Sequence, residues 1–148
     1  EAASLARVVE TVAERIGCEN WFAENPVGAL SRLWRKPNVT FDPCHFGAYL
    51  PEDDVHPLYP NHIPPRDSYT KRTCLWTGSA FSMPPKRPVE PVRIMYKHLD
   101  GHMHAYNPQA AKLGGTSMKT KNIRSATPRG FSTALYEAFS SGSKATCD

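Results

Sequence analysis

The sequence predicts an α/β fold, in which helices pack against a sheet. Residues 3–16 place apolar side chains at helical spacing, and the apolar run at 21–23 (WFA) that follows is typical of a buried strand. A helix followed by a buried strand is half of an α/β repeat. Alternating segments at 72–77 and 92–99 predict two further strands, and residues 127–139 predict a closing helix.

The elements at the start of the chain follow from their stop signals as well as their periodicity. Gly17 is a natural stop for the first helix, and Pro26 ends the following strand near Asn25 because proline has no backbone N–H. Residues 27–36 predict one short helical turn, which Pro37 ends. The apolar stripe of the first helix comprises Leu5, Val8, Val9, Val12 and Ile16.

Three later segments lack a regular period. Residues 43–65 carry six prolines around an acidic run, which predicts a long surface insertion. Residues 83–91 predict an extended linker, and residues 107–124 mix Gly, Ser, Thr and Lys, which predicts a mobile basic loop. Thr127 and Pro128 then predict the cap and first turn of the closing helix. Its predicted buried stripe comprises Phe131, Ala134, Leu135, Ala138 and Phe139.

Length and charge indicate a single domain, or the C-terminal portion of a larger one, with a basic second half. Residues 1–65 hold 5 Lys/Arg against 9 Asp/Glu, whereas residues 66–148 hold 13 against 5. A basic half favours polyanions such as DNA. The alternative is a solvated basic surface with no such partner.

The four cysteines show no metal-like or disulfide-like spacing, and they are Cys18, Cys44, Cys74 and Cys147. The sequence shows neither a signal peptide nor an apolar run near 20 residues, so we expect no membrane partner. We therefore expect reduced thiols in the cytoplasm. Glu1 already lies inside the predicted first helix, which suggests an upstream segment.

Glu24 and Asn25 stand at the end of the first predicted strand. In α/β sheets, ligands bind outside the carboxyl ends of strands. A Glu there can accept a hydrogen bond from an exocyclic amine and, when protonated, donate one to a ring nitrogen, which are the contacts that hold a flipped cytosine. The alternative is a Glu that caps a backbone turn.

Four short motifs occur in order along the chain: ENPVG at 24–28, FG at 46–47, KRTCLW at 71–76 and RSATPRGF at 124–131. With them, most of residues 3–140 resembles the C-terminal part of phage and prophage cytosine-5 DNA methyltransferase-like proteins. The resemblance implies a partial Rossmann-like, methyltransferase-type sheet, a DNA substrate and S-adenosylmethionine as the methyl donor. If the chain is phage-encoded, the compartment is the host-cell cytoplasm.

The resemblance also implies roles for individual residues. Glu24 would hold the target base, and Asn25 would shape the turn beside it. Thr127 and Pro128 would open the closing helix near the cofactor. The expected nucleic-acid contacts, which combine the strand entry with the basic loop, are Lys71, Arg72, Lys119, Lys121, Arg124 and Arg129.

Two family features are missing from the expected places. Cytosine-5 methyltransferases begin with a Gly-rich strand–turn that binds the cofactor, but Gly114 and Gly115 follow no predicted strand. Their Pro-Cys nucleophile precedes the Glu-Asn motif that ENPVG resembles, whereas Pro43-Cys44 follows Glu24. Cys44 would therefore serve as the nucleophile only in a circularly permuted order. We therefore expect catalysis only with an upstream segment or a second subunit. The alternative is a non-catalytic phage protein that binds nucleic acid or a host protein, for example a defence inhibitor.

The histidines at 98, 102 and 104 raise the question of a metal site. His98 and His102 would share a face only in a helix, whereas the preceding residues alternate like a strand. Cys74 or Asp100 could complete a ligand set, but a second ligand pair at zinc-like spacing is lacking. We therefore assign no metal ligand and expect His98, His102 and His104 to be loop histidines near polar or anionic groups. The alternative, which depends on these histidines alone, is a small metal-binding module.

Overall fold

The computed structural model describes residues 2–142 of the 148, and these mix helices with strands as the α/β prediction requires. By its internal contacts the chain divides into two compact units. The first unit comprises the residues up to Phe41 together with Arg72–Met83. The second comprises Asp42–Lys71 and the chain from Pro84 onward. None of the helices in the described range combines the length and apolar character needed to cross a membrane.

The first unit contains two helices and one small sheet. Its strand order is β1-β3-β2, and both pairings are antiparallel. Strand β3 is therefore central and its first four residues are buried, whereas β1 lies at an edge. The elements are α1 (Ala2–Arg15), β1 (Phe22–Pro26), α2 (Leu30–Leu33), β2 (Val39–Phe41) and β3 (Thr73–Thr77).

This sheet differs from the predicted one in strand direction. A Rossmann-like sheet is built mostly from parallel strands, whereas every strand pair in residues 2–142 is antiparallel. The predicted buried strand at 21–23 is instead an edge strand, Phe22–Pro26, with Phe22 39% exposed. Sequence periodicity locates strands, but their direction depends on partners that lie far along the chain.

Trp76 organises the core of the first unit from the central strand. Its side chain is fully buried, and its Nε1–H donates a hydrogen bond of 2.7 Å to the carbonyl of Arg35. The Trp34 ring packs against it with centroids 5.5 Å apart, and the guanidinium of Arg35 lies 4.8 Å from the Trp34 centroid. One predicted strand, 72–77, is thus confirmed as the centre of this unit.

The second unit combines short helices with one hairpin. Strands β4 and β5 form this antiparallel hairpin, which confirms the strand predicted within residues 92–99. Strand β5, like β2, was not predicted. The elements are the 3₁₀ helices Pro43–Tyr49 and Pro65–Asp67, β4 (Ile94–Lys97), β5 (Met103–Tyr106), α3 (Pro108–Lys112), α4 (Met118–Ser125) and α5 (Arg129–Gly142).

The first part of the predicted surface insertion at 43–65 is in fact core. Residues Pro43–Tyr49 form a 3₁₀ helix, begun by a capping box in which Asp42 and His45 bond each other's backbone N–H groups. Phe46 is fully buried, with its ring centroid 5.2 Å from that of Phe131. Proline is compatible with a first helical turn, so the proline content did not indicate exposure here.

The predicted mobile loop at 107–124 is wrong, because the structure has two helices there, α3 and α4. Ser117 caps α4 by accepting a hydrogen bond from the N–H of Thr120 at 3.2 Å. Leu113 and Ile123 are buried together with Ile63 and Tyr69. Two apolar anchors in a polar segment give too weak a period to recognise, and tertiary packing supplies the stability.

The predicted closing helix is confirmed as α5, Arg129–Gly142. It begins one residue after the predicted start, since the carbonyl of Pro128 accepts the first helical hydrogen bond, from Ser132 at 3.1 Å. Phe131 and Ala134 are buried as predicted, whereas Phe139 is 41% exposed. Cys18, Cys44 and Cys74 are free thiols, and Cys147 lies outside the described residues.

Candidate functional site

Glu24 lies in the middle of edge strand β1, opposite Leu75 of β3. It is half-buried and lines a cavity of about 310 Å³ within the first unit. This volume is at the lower end of small-ligand pockets, which span about 300–1,000 Å³. The wall is mainly apolar and comprises Ala6, Val9, Phe22, Ala23, Glu24, Asn25 and Leu30. The cavity thus combines apolar surface with one carboxylate and one amide.

Asn25 has a local structural role beside Glu24. Its side-chain Nδ2 donates a hydrogen bond of 2.9 Å to the carbonyl of Pro26. This bond holds the amide against the end of the strand, where the pairing with β3 finishes. Asn25 thus shapes the turn, whereas the contribution of Glu24 to the site is its place on the cavity wall.

Cys74 lies on the neighbouring strand β3, next to this part of the site. It stands opposite Asn25 in the β1–β3 register and is 2% exposed. Burial raises the pKa of Cys74 and outweighs the lowering by a hydrogen bond with Ser31 and by the charge of Arg72, while the negative charge of Glu24 adds a smaller increase. The thiolate is the nucleophilic form of cysteine. A thiol held protonated in this way is unsuited to attack a base.

Cys44, the cysteine of the Pro-Cys pair, belongs to the second unit. It is buried in the 3₁₀ helix Pro43–Tyr49 and 5% exposed. Burial raises its pKa first, and the charge of Asp42 raises it further. Neither Cys44 nor Cys74 therefore has the low-pKa, accessible setting of a nucleophile.

The residues expected to contact nucleic acid occupy different environments. Lys71 is half-buried, and its Nζ donates a long hydrogen bond of 3.4 Å to the carbonyl of Ala126. Arg72 is exposed at the start of β3. Arg124 donates a hydrogen bond of 2.9 Å to the carbonyl of Leu113. Lys71 and Arg124 thus each have a structural contact.

The cations of α4 do not form one continuous face. At about 100° per helical residue, Lys119 lies about 140° from Arg124 and about 160° from Lys121 around the helix. Lys121 and Arg124 are only about 60° apart. All three side chains are exposed. A phosphate backbone could therefore contact Lys121 and Arg124 together, with Lys119 directed elsewhere.

Arg129, the remaining expected nucleic-acid contact, is bound to a carboxylate of its own chain. Its two terminal nitrogens donate to the two oxygens of Asp54 at 2.9 and 2.6 Å. These bonds hold the pKa of Asp54 below its usual value. The Arg129 side chain is 27% exposed and that of Asp54 is 6% exposed. A phosphate would have to compete with a nearly buried bidentate ion pair.

The start of α5 was the expected cofactor side, but its residues do not fit a cofactor site. Pro128 is fully buried and has no N–H to donate, and Thr127 is exposed. The N–H of Gly130 already donates to the buried carboxylate of Asp67 at 2.9 Å. We therefore assign no step of the chemistry to a cofactor at Thr127 and Pro128.

The hairpin turn brings two of the three histidines weighed from the sequence, His98 and His104, together with Asp100. His104 Nε2 lies 2.9 Å from Asp100 Oδ2, and His98 Nδ1 lies 3.7 Å from the same oxygen. His98 and His104 thus lie near an anionic group, as expected of loop histidines. The missed signal was the Asp-Gly pair at 100–101, which is typical of a hairpin turn.

Comparison with known proteins gives no relative for this chain. No protein-family model matches it, and neither do the curated proteins or the solved structures. Function is therefore inferred from the residues and their geometry.

Proposed function

We propose that this chain is the base-recognition half of a DNA cytosine methyltransferase-like phage protein. The observation that carries the proposal is the position of Glu24, a half-buried carboxylate on the wall of a mainly apolar cavity of about 310 Å³.

Glu24 supplies the chemistry that distinguishes cytosine from thymine. Its carboxylate accepts a hydrogen bond from the exocyclic amine of cytosine, and its protonated form donates to the ring nitrogen beside that amine. Thymine presents a carbonyl and an N–H at these positions, so a carboxyl whose proton faces the ring nitrogen cannot form the same two hydrogen bonds with it. The apolar residues around the carboxylate provide surface for the ring of a flipped base.

In this proposal the nucleophile and the methyl-donor site come from another segment or chain. In the complete reaction a cysteine thiolate would add to C6 while Glu24 donates a proton to the ring nitrogen, and C5 would take the methyl group from the donor. Loss of the C5 proton to a base would then expel the thiolate and restore the ring. S-adenosylmethionine is the methyl donor that the resemblance implies. Cys44 and Cys74 are unsuited to the attack because both are buried with raised pKa values.

An apolar stripe on α1 supports the need for an additional segment. Val8, Val12 and Ile16 follow one another at four-residue intervals and are 54%, 48% and 71% exposed. The buried side of the same helix is formed by Ala6 and Ala13. The occupant that this proposal assigns to the stripe is the segment or subunit that carries the nucleophile and the cofactor site.

Two substitutions of Glu24 separate base binding from catalysis. Glu24→Ala removes both hydrogen-bonding functions, so the preference for an unpaired cytosine over thymine in an oligonucleotide should be lost. A bidentate base contact is worth about 1–3 kcal/mol, or roughly 5- to 150-fold in affinity. Fluorescence anisotropy with the two labelled oligonucleotides measures this preference. Glu19→Ala is the control, since Glu19 is exposed in the same unit.

Glu24→Gln tests the catalytic role in the complete gene product. Gln can accept and donate hydrogen bonds to the base but cannot deliver a proton to the ring nitrogen. We expect base preference to be largely retained while transfer of labelled methyl groups to DNA falls by about 10²-fold or more, the contribution typical of general acid catalysis. Unchanged methylation by Glu24→Gln would show that the base-pocket role is wrong.

A non-catalytic binding protein is the second candidate function. The buried, protonated thiols favour it, as does the exposed pair Lys121 and Arg124 on α4. The complete gene product would then bind DNA without methylating it, and Lys121→Gln should lower the slope of log affinity against log salt by about one. An affinity for DNA that does not depend on salt would exclude phosphate contacts and leave a host protein as the partner.

A further inference from the structure

The turn between β4 and β5 brings together three potential metal ligands, two on the turn itself and one, His104, on β5. One ligand atom from each of His98, Asp100 and His104 lies within 4.8 Å of the other two. Two of these separations are 2.9 Å, from His104 to Asp100, and 3.7 Å, from His98 to Asp100. The two imidazole rings are 5.1 Å apart and nearly edge-on to each other. All three side chains are exposed, so an ion can reach them without any opening of the structure.

Backbone hydrogen bonds hold the loop in this arrangement. The N–H of His98 donates to the carbonyl of His102 at 2.8 Å, and the N–H of Gly101 donates to the carbonyl of His98 at 3.0 Å. Gly101 has φ of 84°, a left-handed conformation that glycine adopts without strain. This is the pattern of a three-residue hairpin loop with a bulge. The ligand positions are therefore set by the turn and not by free side-chain rotation alone.

Asp100 has one carboxylate oxygen for the turn and one for the histidines. Its Oδ1 accepts a hydrogen bond of 2.8 Å from the N–H of His102, while Oδ2 faces His98 and His104. The partner of Oδ1 orients the carboxylate, which is how metal-ligating side chains are usually held. His102 takes part through its backbone and is not among the three clustered ligands.

Two of the three separations between ligand atoms are close to those of a zinc site, and the third is at most 4.8 Å. Bonds of about 2.0–2.1 Å in a tetrahedral arrangement place ligand atoms roughly 3.3 Å apart. The two distances to Asp100, 2.9 and 3.7 Å, lie on either side of that separation. Small rotations of the imidazole rings would therefore suffice to direct three ligand atoms at one ion.

We propose that His98, Asp100 and His104 bind a divalent transition-metal ion such as Zn²⁺. Two neutral imidazoles and one carboxylate form the donor set that such ions prefer, and three protein ligands leave a coordination position for water or another molecule. Binding replaces the hydrogen bond between His104 and Asp100 by two bonds to the ion. A neighbouring cavity of about 260 Å³, lined by Tyr96, Lys97, His98, Tyr106 and Ala111, adjoins one of the ligands.

Calorimetric titration of the purified chain with Zn²⁺ tests this proposal. We expect saturable binding of one ion, weakened about tenfold or more by His98→Gln or His104→Gln, because even the loss of an outer partner of a ligand costs about 10- to 100-fold. Asp100→Asn should weaken it similarly, although its remaining oxygen can still accept from the N–H of His102. His102→Gln is the matched control and should leave the affinity unchanged.

Cobalt provides a second readout that does not depend on the heat of binding. Co²⁺ bound by two imidazoles and a carboxylate should give visible absorption bands that His98→Gln and His104→Gln remove and His102→Gln retains. Circular dichroism of each variant establishes that it is folded. The proposal is overturned if the wild type shows no saturable binding, or if His102→Gln weakens binding as much as His104→Gln does.

Discussion

Asp54→Asn is the substitution that most directly tests the packing of the second unit. Asp54 accepts three hydrogen bonds, one from the N–H of Arg66 at 2.7 Å and two from Arg129 at 2.9 and 2.6 Å. Asparagine keeps a single oxygen in nearly the same volume, and its amide group turns N–H atoms toward the guanidinium. Oδ2 accepts two of these bonds, so an asparagine oxygen in that place keeps them, but the bond from Arg129 Nη1 is lost and an N–H group faces that nitrogen. Arg129 is also left partly buried without the negative charge of Asp54.

The expected cost follows from the burial of this pair. A hydrogen bond to a charged group contributes about 1.5–3 kcal/mol, and breaking a buried ion pair costs about 3–5 kcal/mol. The Arg129 side chain is 27% exposed, so water recovers part of its lost solvation. We expect Asp54→Asn to lower the free energy of unfolding by about 3 kcal/mol.

Urea unfolding followed by circular dichroism measures this change. The transition of the variant should move to lower urea concentration with an unchanged slope. Asp53→Asn is the matched control, since Asp53 is exposed and should change stability by less than about 0.5 kcal/mol. An equally small loss for Asp54→Asn would refute the reasoning, because the pair would then behave like a surface ion pair.

The pH dependence of the same variant supplies an independent check. Arg129 holds the pKa of Asp54 below its ordinary value of 3.8. The stabilisation is therefore fully present above that value and is lost as the pH falls through the lower folded-state pKa. The difference in stability between wild type and Asp54→Asn should narrow below about pH 4. A difference that stays constant from pH 7 to pH 3 would contradict the assigned charge interaction.

Three further predictions concern other buried positions. Burial lowers the pKa of His56, whose Nδ1 accepts a hydrogen bond of 2.9 Å from the N–H of Tyr59. The stabilisation from the neutral imidazole is therefore present above the ordinary pKa of 6.5 and is lost as the pH falls below it. The free energy of unfolding, measured with urea, should decline less from pH 7.5 to 5.5 in His56→Gln than in the wild type. In Gly130→Ala the added methyl group would clash with the carbonyl oxygen of Phe46, so we expect urea unfolding to show a loss of about 2 kcal/mol in the free energy of unfolding; unchanged stability would exclude this close approach. Trp76→Phe removes a hydrogen bond of 2.7 Å and leaves a cavity, so thermal unfolding should show a loss of about 2–4 kcal/mol, and a neutral effect would place the ring outside the core.

Helical periodicity and alternation were sufficient to locate the strongest elements from sequence. The first and closing helices and the strands at 73–77 and 94–97 are present. In each of them the apolar residues recur at a spacing that only one type of backbone places on one side. Helix α4 was missed because its buried residues, Thr120 and Ile123, are too few to form such a period. The same signal, applied to β1, predicted a buried strand where the structure has an edge.

The sequence predicted one of the two candidate sites better than the other. Glu24 was identifiable from its place at the end of an apolar run, and the structure adds the cavity beside it. The cluster of His98, Asp100 and His104 needed the turn geometry, because a spacing of two or four residues brings side chains together only for particular backbone conformations.

The sequence by itself determined which segments form the main helices and strands, and where a carboxylate meets an apolar surface. Only the tertiary structure decided that the strands pair antiparallel and that Arg129 is bound to Asp54, 75 residues away along the chain. The physical reason is the range of the interactions. Periodicity and capping act within a few residues, whereas strand direction, burial of a thiol and the partner of a charge depend on which distant segments come into contact.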